Sequence, residues 1–220
     1  MTEENNYTGM DQNEFMKRMK AIATDLWGGI APAEETAPKP AAQKEAAVPE
    51  PAKMKDDIQS IWKTADETID WTDALAHSTP TDGLTGPRMW AFYHKHAQKV
   101  LAGDLSAYTE VLQKANPLGE LTGYADNITI CASSADRLES CFICRKELLE
   151  KNQKLYSAAM GLRIARDLLA CLPVEEVHVT GKDNETTVFD ATYTRQQLLH
   201  RNFVFTDPVA LARECGAEFN

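Results

Sequence analysis

The sequence predicts an α+β fold in which a helical first half packs on a small, mostly antiparallel sheet with a long central helix. Three observations indicate this fold. Apolar residues recur at helical spacing over 57–126, β-branched runs follow from residue 127, and the longest helical pattern lies between those runs, near 147–172. Helices and strands that are segregated along the chain are typical of α+β domains.

The chain divides by composition into three parts. Residues 1–29 carry one amphipathic helix over 12–27, residues 30–55 form a linker, and residues 56–220 are predicted to fold as a single α+β domain. This last part, about 165 residues long, has the usual size of one domain with its own core.

The N-terminal helix begins after the capping residue Asp11, and Gly28-Gly29 supplies its C-terminal stop. A helix this short cannot bury its own apolar face, so we predict that the face binds a protein partner. Folding back on the domain, pairing with a second copy and contact with a membrane surface are the alternatives, and mixed charges on the polar face disfavour the last. The predicted partner-binding residues are Phe15, Met19, Ile22, Leu26 and Trp27.

The linker over 30–55 contains five prolines, many alanines and no aromatic residue. Such a composition cannot recover its ordering entropy through burial, and its prolines favour extended polyproline segments. We therefore predict a disordered, semi-stiff spacer.

Helical patterns dominate the first half of the domain. A short turn is predicted over 70–76, Pro87 opens a longer helix that Gly103 ends, and a further helix covers 104–116. The first helical face comprises Ile58, Ile61, Trp62 and Ala65.

The second half predicts four strands. Its segment 136–146 fits either a helix or a strand, and we choose a strand because Leu138, Phe142 and Cys144 share one face of the alternation. The last two strands form a hairpin across the sequence GKDNE, and two short helices follow it. The strands lie near 127–132, 138–145, 175–181 and 186–194.

Charge and hydropathy bear on localisation and partners. The formal charge of −10 divides into −3 for 1–56, −5 for 57–126 and −2 for 127–220, so no segment is basic and general nucleic-acid binding is not expected. No apolar run approaches the roughly 20 residues of a membrane-spanning helix, and no signal peptide is evident. We therefore predict a cytoplasmic protein without a transmembrane segment.

The five cysteines are predicted to be reduced and buried, since their number is odd and their neighbours are apolar. Cys141 and Cys144 form a CxxC pair, but no second pair completes a zinc site, and a strand would point the two thiols to opposite faces. His94 and His96 diverge on a helix. We therefore predict no metal, no cofactor and no catalytic residue.

The segment from Ile69-Asp-Trp71 to Phe205-Thr-Asp-Pro208 resembles a family of uncharacterised bacterial proteins. The resemblance covers residues 69–208, and its best marks are LRIARDLLACLPVEEVHV and NFVFTDP. It implies a reused module in which a strand pair, a helix and a hairpin follow one another behind variable N-terminal modules. It implies no known activity. The connections near 145–150 and 181–186 are shorter than in the family, which affects any site carried on those loops.

Two functional hypotheses follow. The first is a non-catalytic interaction or adaptor protein, in which the tethered N-terminal helix recruits a partner or mediates self-association. The alternative is a metal-dependent hydrolase or nuclease with a site near the 175–190 hairpin, using Glu175, Glu176, Asp183 or Arg163. Convergent carboxylates in a pocket would favour the enzyme, and an exposed apolar patch would favour the interaction protein.

Overall fold

The computed structural model of the chain describes residues 58–81 and 83–220, all of which belong to one compact unit. The predicted N-terminal helix and the linker lie outside these ranges. The assignment of partner binding to that helix therefore stays a prediction, which covers Phe15, Met19, Ile22, Leu26 and Trp27.

Helices occupy most of the first half, as predicted. Asp70 and Asp104 each cap the helix that follows by accepting two backbone N–H groups, which helix N-termini otherwise leave unpaired. Asn116 ends the third helix in a left-handed conformation at φ 49°. The helices are α1 (Trp71–Ala76), α2 (Pro87–Leu101) and α3 (Leu105–Ala115), followed by a 3₁₀ turn over Gly119–Gly123.

A five-stranded sheet with the order β1-β2-β3-β4-β5 follows. Its neighbours pair antiparallel except β2 and β3, which pair parallel, so the predicted α+β fold with a mostly antiparallel sheet is confirmed. The fifth strand was not predicted. The strands are β1 (Ala125–Ala132), β2 (Arg137–Cys144), β3 (Glu176–Asp183), β4 (Thr186–Thr194) and β5 (Glu218–Phe219).

The central helix α4 (Lys146–Cys171) connects β2 to β3 and packs on both strands and on β4. A break at Asn152 divides it, and the Asn152 side chain accepts the N–H of Leu155 and so caps the longer, buried part. Two short helices, α5 (Arg195–Leu198) and α6 (Pro208–Glu214), complete the fold. Within 58–81 and 83–220, no helix combines the length and the hydrophobicity needed to cross a membrane.

The segment before α1 departs from its predicted helix. Residues 58–63 form turns, although Ile58, Ile61 and Trp62 are buried as their apolar character suggested. Tertiary contacts replace helical ones here: the Trp62 indole donates to the Thr206 carbonyl over 3.0 Å, and the Trp62 carbonyl accepts from Arg166. Long-range partners for these polar groups therefore override a local helical pattern.

Candidate functional site

Three exposed apolar side chains, one of them the most exposed large hydrophobic of the described residues, lie in one loop between α5 and α6. Leu199, Val204 and Phe205, named here the apolar patch, are 57%, 58% and 85% exposed. The loop is held by its own hydrogen bonds, since the N–H groups of Val204 and Phe205 donate to Asn202. Exposed apolar side chains that are grouped on one ordered loop can mark a protein interaction site.

A groove of about 180 Å³ lies beside the apolar patch. Leu199 belongs to the patch and also lines the groove. It is formed where the end of α4, the helix α5 and the loop after α5 meet the segment before α1. Its apolar wall comprises Ala65, Leu169, Ala170, Leu198, Leu199 and Phe203.

Arg166 holds one wall of the groove in place. Its guanidinium lies 3.7 Å from the ring centroid of Phe203, and it donates to the carbonyls of Trp62 and Thr64. Burial lowers the pKa of Arg166, while the carboxylate of Asp167 acts in the opposite direction. The stacked cation therefore joins the segment before α1 to the loop that carries the patch.

Arg195 holds the other wall. It donates from Nε to the carbonyl of Val174 over 3.0 Å and from one terminal nitrogen to the carbonyls of Leu169 and Leu172, each over 2.8 Å. These carbonyls belong to the end of α4 and to the residues after it, where no N–H group of the helix is available to donate to them. Arg195 is thus a structural cap, because Nε and one terminal nitrogen are bound to carbonyls at the end of α4.

A buried ion pair lies further along α4. Arg163 donates from Nε to the Oδ2 of Asp167 over 2.6 Å. Arg163 also contacts Thr64 and Glu120. Burial raises the pKa of Asp167 to about 6, although the hydrogen bond from Arg163 lowers it.

The acidic residues of the hairpin hypothesis are not brought to one point. Glu176 and Asp183 lie at opposite ends of β3, roughly 23 Å apart at a strand rise of 3.3 Å per residue. Glu175 and Glu176 line a surface cavity of about 520 Å³ with Asp136. Glu176 is already paired with Arg137 at 2.8 Å. Arg163 belongs to a different cavity.

The cysteines divide between core and surface. Cys144 is buried in the face of β2 that meets α4, and burial raises the pKa of its thiol to about 12. Cys141 is half-buried and lies an odd number of positions away, so the two thiols point to opposite faces, as predicted. Cys131 is exposed on the edge strand β1, where the prediction of a buried thiol was wrong.

The two histidines of α2 have separate partners, as their spacing predicted. His94 contacts the carbonyl of Ala74 at 2.7 Å through Nδ1, whereas Nε2 of His96 contacts Glu110 at 2.8 Å. Among the residues that the structure describes, no group of three His, Cys, Asp or Glu is arranged to hold a metal ion.

Comparison of the chain with protein-family models, curated proteins and solved structures finds no match. The resemblance of residues 69–208 to a family of uncharacterised bacterial proteins stays a prediction. No residue role can be transferred from a relative, and the geometry of the described residues is the basis for function.

Sequence reasoning did not assign the apolar patch to a site. The segment NFVFTDP entered only as a mark of the resemblance, yet it places three apolar residues within a short turn between Asn202 and Asp207. Apolar residues without helical or strand periodicity, bounded by turn-forming residues, are the available signal for such a surface.

Proposed function

We propose that the protein is a non-catalytic interaction protein whose folded domain binds an apolar segment of a partner protein at the apolar patch and its groove. The observation that carries this proposal is the 85% exposure of Phe205 in an ordered loop. The N-terminal helix over 12–27 is the second proposed recognition element, and its tether lets it engage a partner separately.

The energetics of the patch support binding of an apolar segment. Full burial of a Leu, Val or Phe side chain contributes about 1.5–3 kcal/mol, and the patch holds one of each. The groove has mostly apolar walls, and its arginines are occupied by backbone carbonyls. A partner helix that presents one apolar side chain to the groove and covers Phe205 fits both features.

The test compares two variants of the full chain. Val204→Ser with Phe205→Ser removes the two most exposed side chains of the patch, and Leu101→Ser, at an exposed leucine of α2, is the matched control. A partner isolated by cross-linking in the native host should be retained by the wild type and the control, and lost by the patch variant. Retention of that partner by all three proteins would refute a role for the patch.

Deletion of residues 1–29 tests the N-terminal helix. We expect loss of a partner, or of the oligomeric state measured by sedimentation, while the fold of the domain persists. If every partner and the oligomeric state survive the deletion unchanged, the helix has no recruiting role.

The alternative, a metal-dependent hydrolase or nuclease, is supported by one observation: Asp136, Glu175 and Glu176 line the same surface cavity, although the three are not arranged to hold a metal ion by themselves. Hard cations bind carboxylate oxygens, and such a site would use them to orient water. A hydrolase and nuclease screen with and without Mg²⁺ tests it. Activity that Glu175→Gln abolishes and Glu185→Gln leaves intact would favour the enzyme, and no activity would argue against it.

A further inference from the structure

A second cavity, of about 340 Å³, lies between the segment before α1, the helices α1 and α2, and the end of α4. Its lining includes no lysine, arginine or histidine among the described residues. We name it the acidic cleft, after its four carboxylates. These belong to Asp66, Glu67, Asp70 and Asp73.

The carboxylates of the cleft differ in the hydrogen bonds and ion pairs that they already form within the protein. Asp70 caps α1, and Asp73 contacts His77 at 2.7 Å as well as Thr81. The nearest cation to Asp66 is Arg163 at 4.0 Å, and Arg163 lies closer to Asp167. Glu67 is exposed at the cleft. Asp66 and Glu67 are therefore available to a ligand.

Tyr93 provides an independent observation. Its side chain is only 8% exposed, and among the described residues its hydroxyl has no hydrogen-bond partner. The hydroxyl is not sealed in the core like that of Tyr193, so it opens to the cleft that Tyr93 lines. Burial raises the pKa of Tyr93 to about 12, with smaller contributions from Cys171 and Asp66, which line the same cleft.

The remaining walls are aromatic and apolar. Trp90 is fixed by donation from its indole to the carbonyl of His77 over 2.9 Å, and the ring of Tyr93 packs edge-on against Trp71 at 5.4 Å. Pro117 and Ile69 also line the cavity. Carboxylates at the mouth with aromatic and aliphatic walls suit a cation on a hydrocarbon chain, because the walls cover the chain and attract the charge.

We propose that the acidic cleft binds an organic cation, an alkylammonium or guanidinium group. Asp66 and Glu67 supply the countercharge, the Tyr93 hydroxyl accepts an N–H of the ligand, and Trp90 and Ile69 contact its carbon chain. The cation can come from a free amine or from a lysine or arginine side chain of another protein. The proposal does not depend on the apolar patch, although Asp66 and Thr68 line both the acidic cleft and the groove beside the patch.

Calorimetric titration of the full chain at low ionic strength tests the proposal. The probes are cadaverine and the capped amino acids N-acetyl-lysine methylamide and N-acetyl-arginine methylamide, and the neutral control is N-acetyl-norleucine methylamide. At least one cationic probe should bind, the neutral probe should not, and added salt should weaken binding. Stronger binding of cadaverine indicates a free amine, and stronger binding of a capped amino acid indicates a protein side chain.

Three variants make the test specific. Tyr93→Phe keeps the ring and removes the hydroxyl, and Glu67→Gln removes one exposed charge. Each should weaken binding roughly tenfold, the equivalent of a hydrogen bond or contact to a charged group. Glu185→Gln removes the same charge from the turn of the hairpin and should change affinity less than twofold, within the range of screened surface charges.

Three results would overturn the proposal: no cationic probe binds, norleucine binds as well as lysine, or Glu67→Gln binds as the wild type does. Because Glu67 is exposed, its variant retains the fold and decides the matter even if Tyr93→Phe is unstable. Circular dichroism of each variant shows whether it retains the fold of the wild type.

Discussion

Arg163 and Asp167 lie one turn apart on α4, and both side chains are buried where the guanidinium Nε donates to the carboxylate over 2.6 Å. The other oxygen of Asp167 accepts the backbone N–H of Asp66 over 2.9 Å. One carboxylate therefore joins the central helix to the segment before α1, which has turns in place of helical hydrogen bonds. A buried ion pair affects stability most when one of its two partners is removed, because the other charge is then left buried and unpaired.

Arg163→Leu should lower the free energy of unfolding by about 3–5 kcal/mol, because it leaves the Asp167 carboxylate buried without its cation. Arg163→Leu combined with Asp167→Leu should recover part of this loss, although the N–H of Asp66 then lacks its acceptor. Urea unfolding of the two variants and the wild type measures the difference. A double variant less stable than Arg163→Leu would contradict this account.

The stability of the protein should depend on pH through Asp167, whose pKa burial raises to about 6. A carboxyl group with a higher pKa in the folded state binds its proton more tightly there, so its contribution to stability is lost as pH rises from about 4 to about 6. Relative to Asp167→Asn, the free energy of unfolding of the wild type should fall by about 1.4 kcal/mol for each pH unit in this window.

Urea titrations at several pH values measure this difference, and Glu185→Gln, which removes an exposed carboxyl from the hairpin turn, is the control. The difference between wild type and Asp167→Asn should level off above pH 6. A difference that stays constant or increases from pH 4 to 6 would show that the ion pair with Arg163 outweighs burial.

Tyr193→Phe should raise the free energy of unfolding by about 1 kcal/mol, because a buried hydroxyl without a partner costs its desolvation free energy. The Tyr193 hydroxyl is such a group within the described part of the chain. Tyr156→Phe is the matched comparison, since the Tyr156 hydroxyl donates to the Tyr124 carbonyl over 2.5 Å and accepts the N–H of Arg145. Tyr156→Phe should lower the free energy of unfolding by about 1–3 kcal/mol. Equal effects of the two changes on stability would refute the argument.

Gly161→Ala should destabilise the fold by about 1–2 kcal/mol, despite the better helix propensity of alanine. An added Cβ would lie 2.5 Å from Cε1 of Phe189 and 2.8 Å from its Cζ, where α4 crosses β4. Phe189→Leu should therefore cost less in the Gly161→Ala background than in the wild type. Thermal unfolding of the wild type, the two single variants and the double variant gives the coupling free energy between the two positions. Strictly additive effects of the two changes would contradict the prediction.

The strands and most helices of the second half follow from the sequence because each has a strong periodic pattern. Residues 137–144 illustrate this: Leu138, Phe142 and Cys144 are all buried on one face of β2, as the alternation indicated. Alternation reports which face is buried and carries no information about strand direction. The parallel pairing of β2 with β3 could therefore not be predicted from it.

Local patterns were less informative where polar groups have distant partners. Residues 58–63 read as helical, but Arg166 and Thr206 provide hydrogen-bond partners that only the folded chain brings together. The same limit applies to the acidic cleft, because Asp66, Tyr93 and Cys171 line it from separate parts of the chain. β5 escaped prediction because two residues are too few to show alternation.

The parallel pairing of β2 with β3 bears on how the chain tolerates cleavage. Antiparallel neighbours can be joined by a tight turn, whereas parallel neighbours require a connection that returns to the same end of the sheet, and here that connection is α4. A nick at the Asn152 break would leave β1 and β2 on one fragment and β3, β4 and β5 on the other. Neither fragment holds a complete sheet, so each would need the other to recover the core.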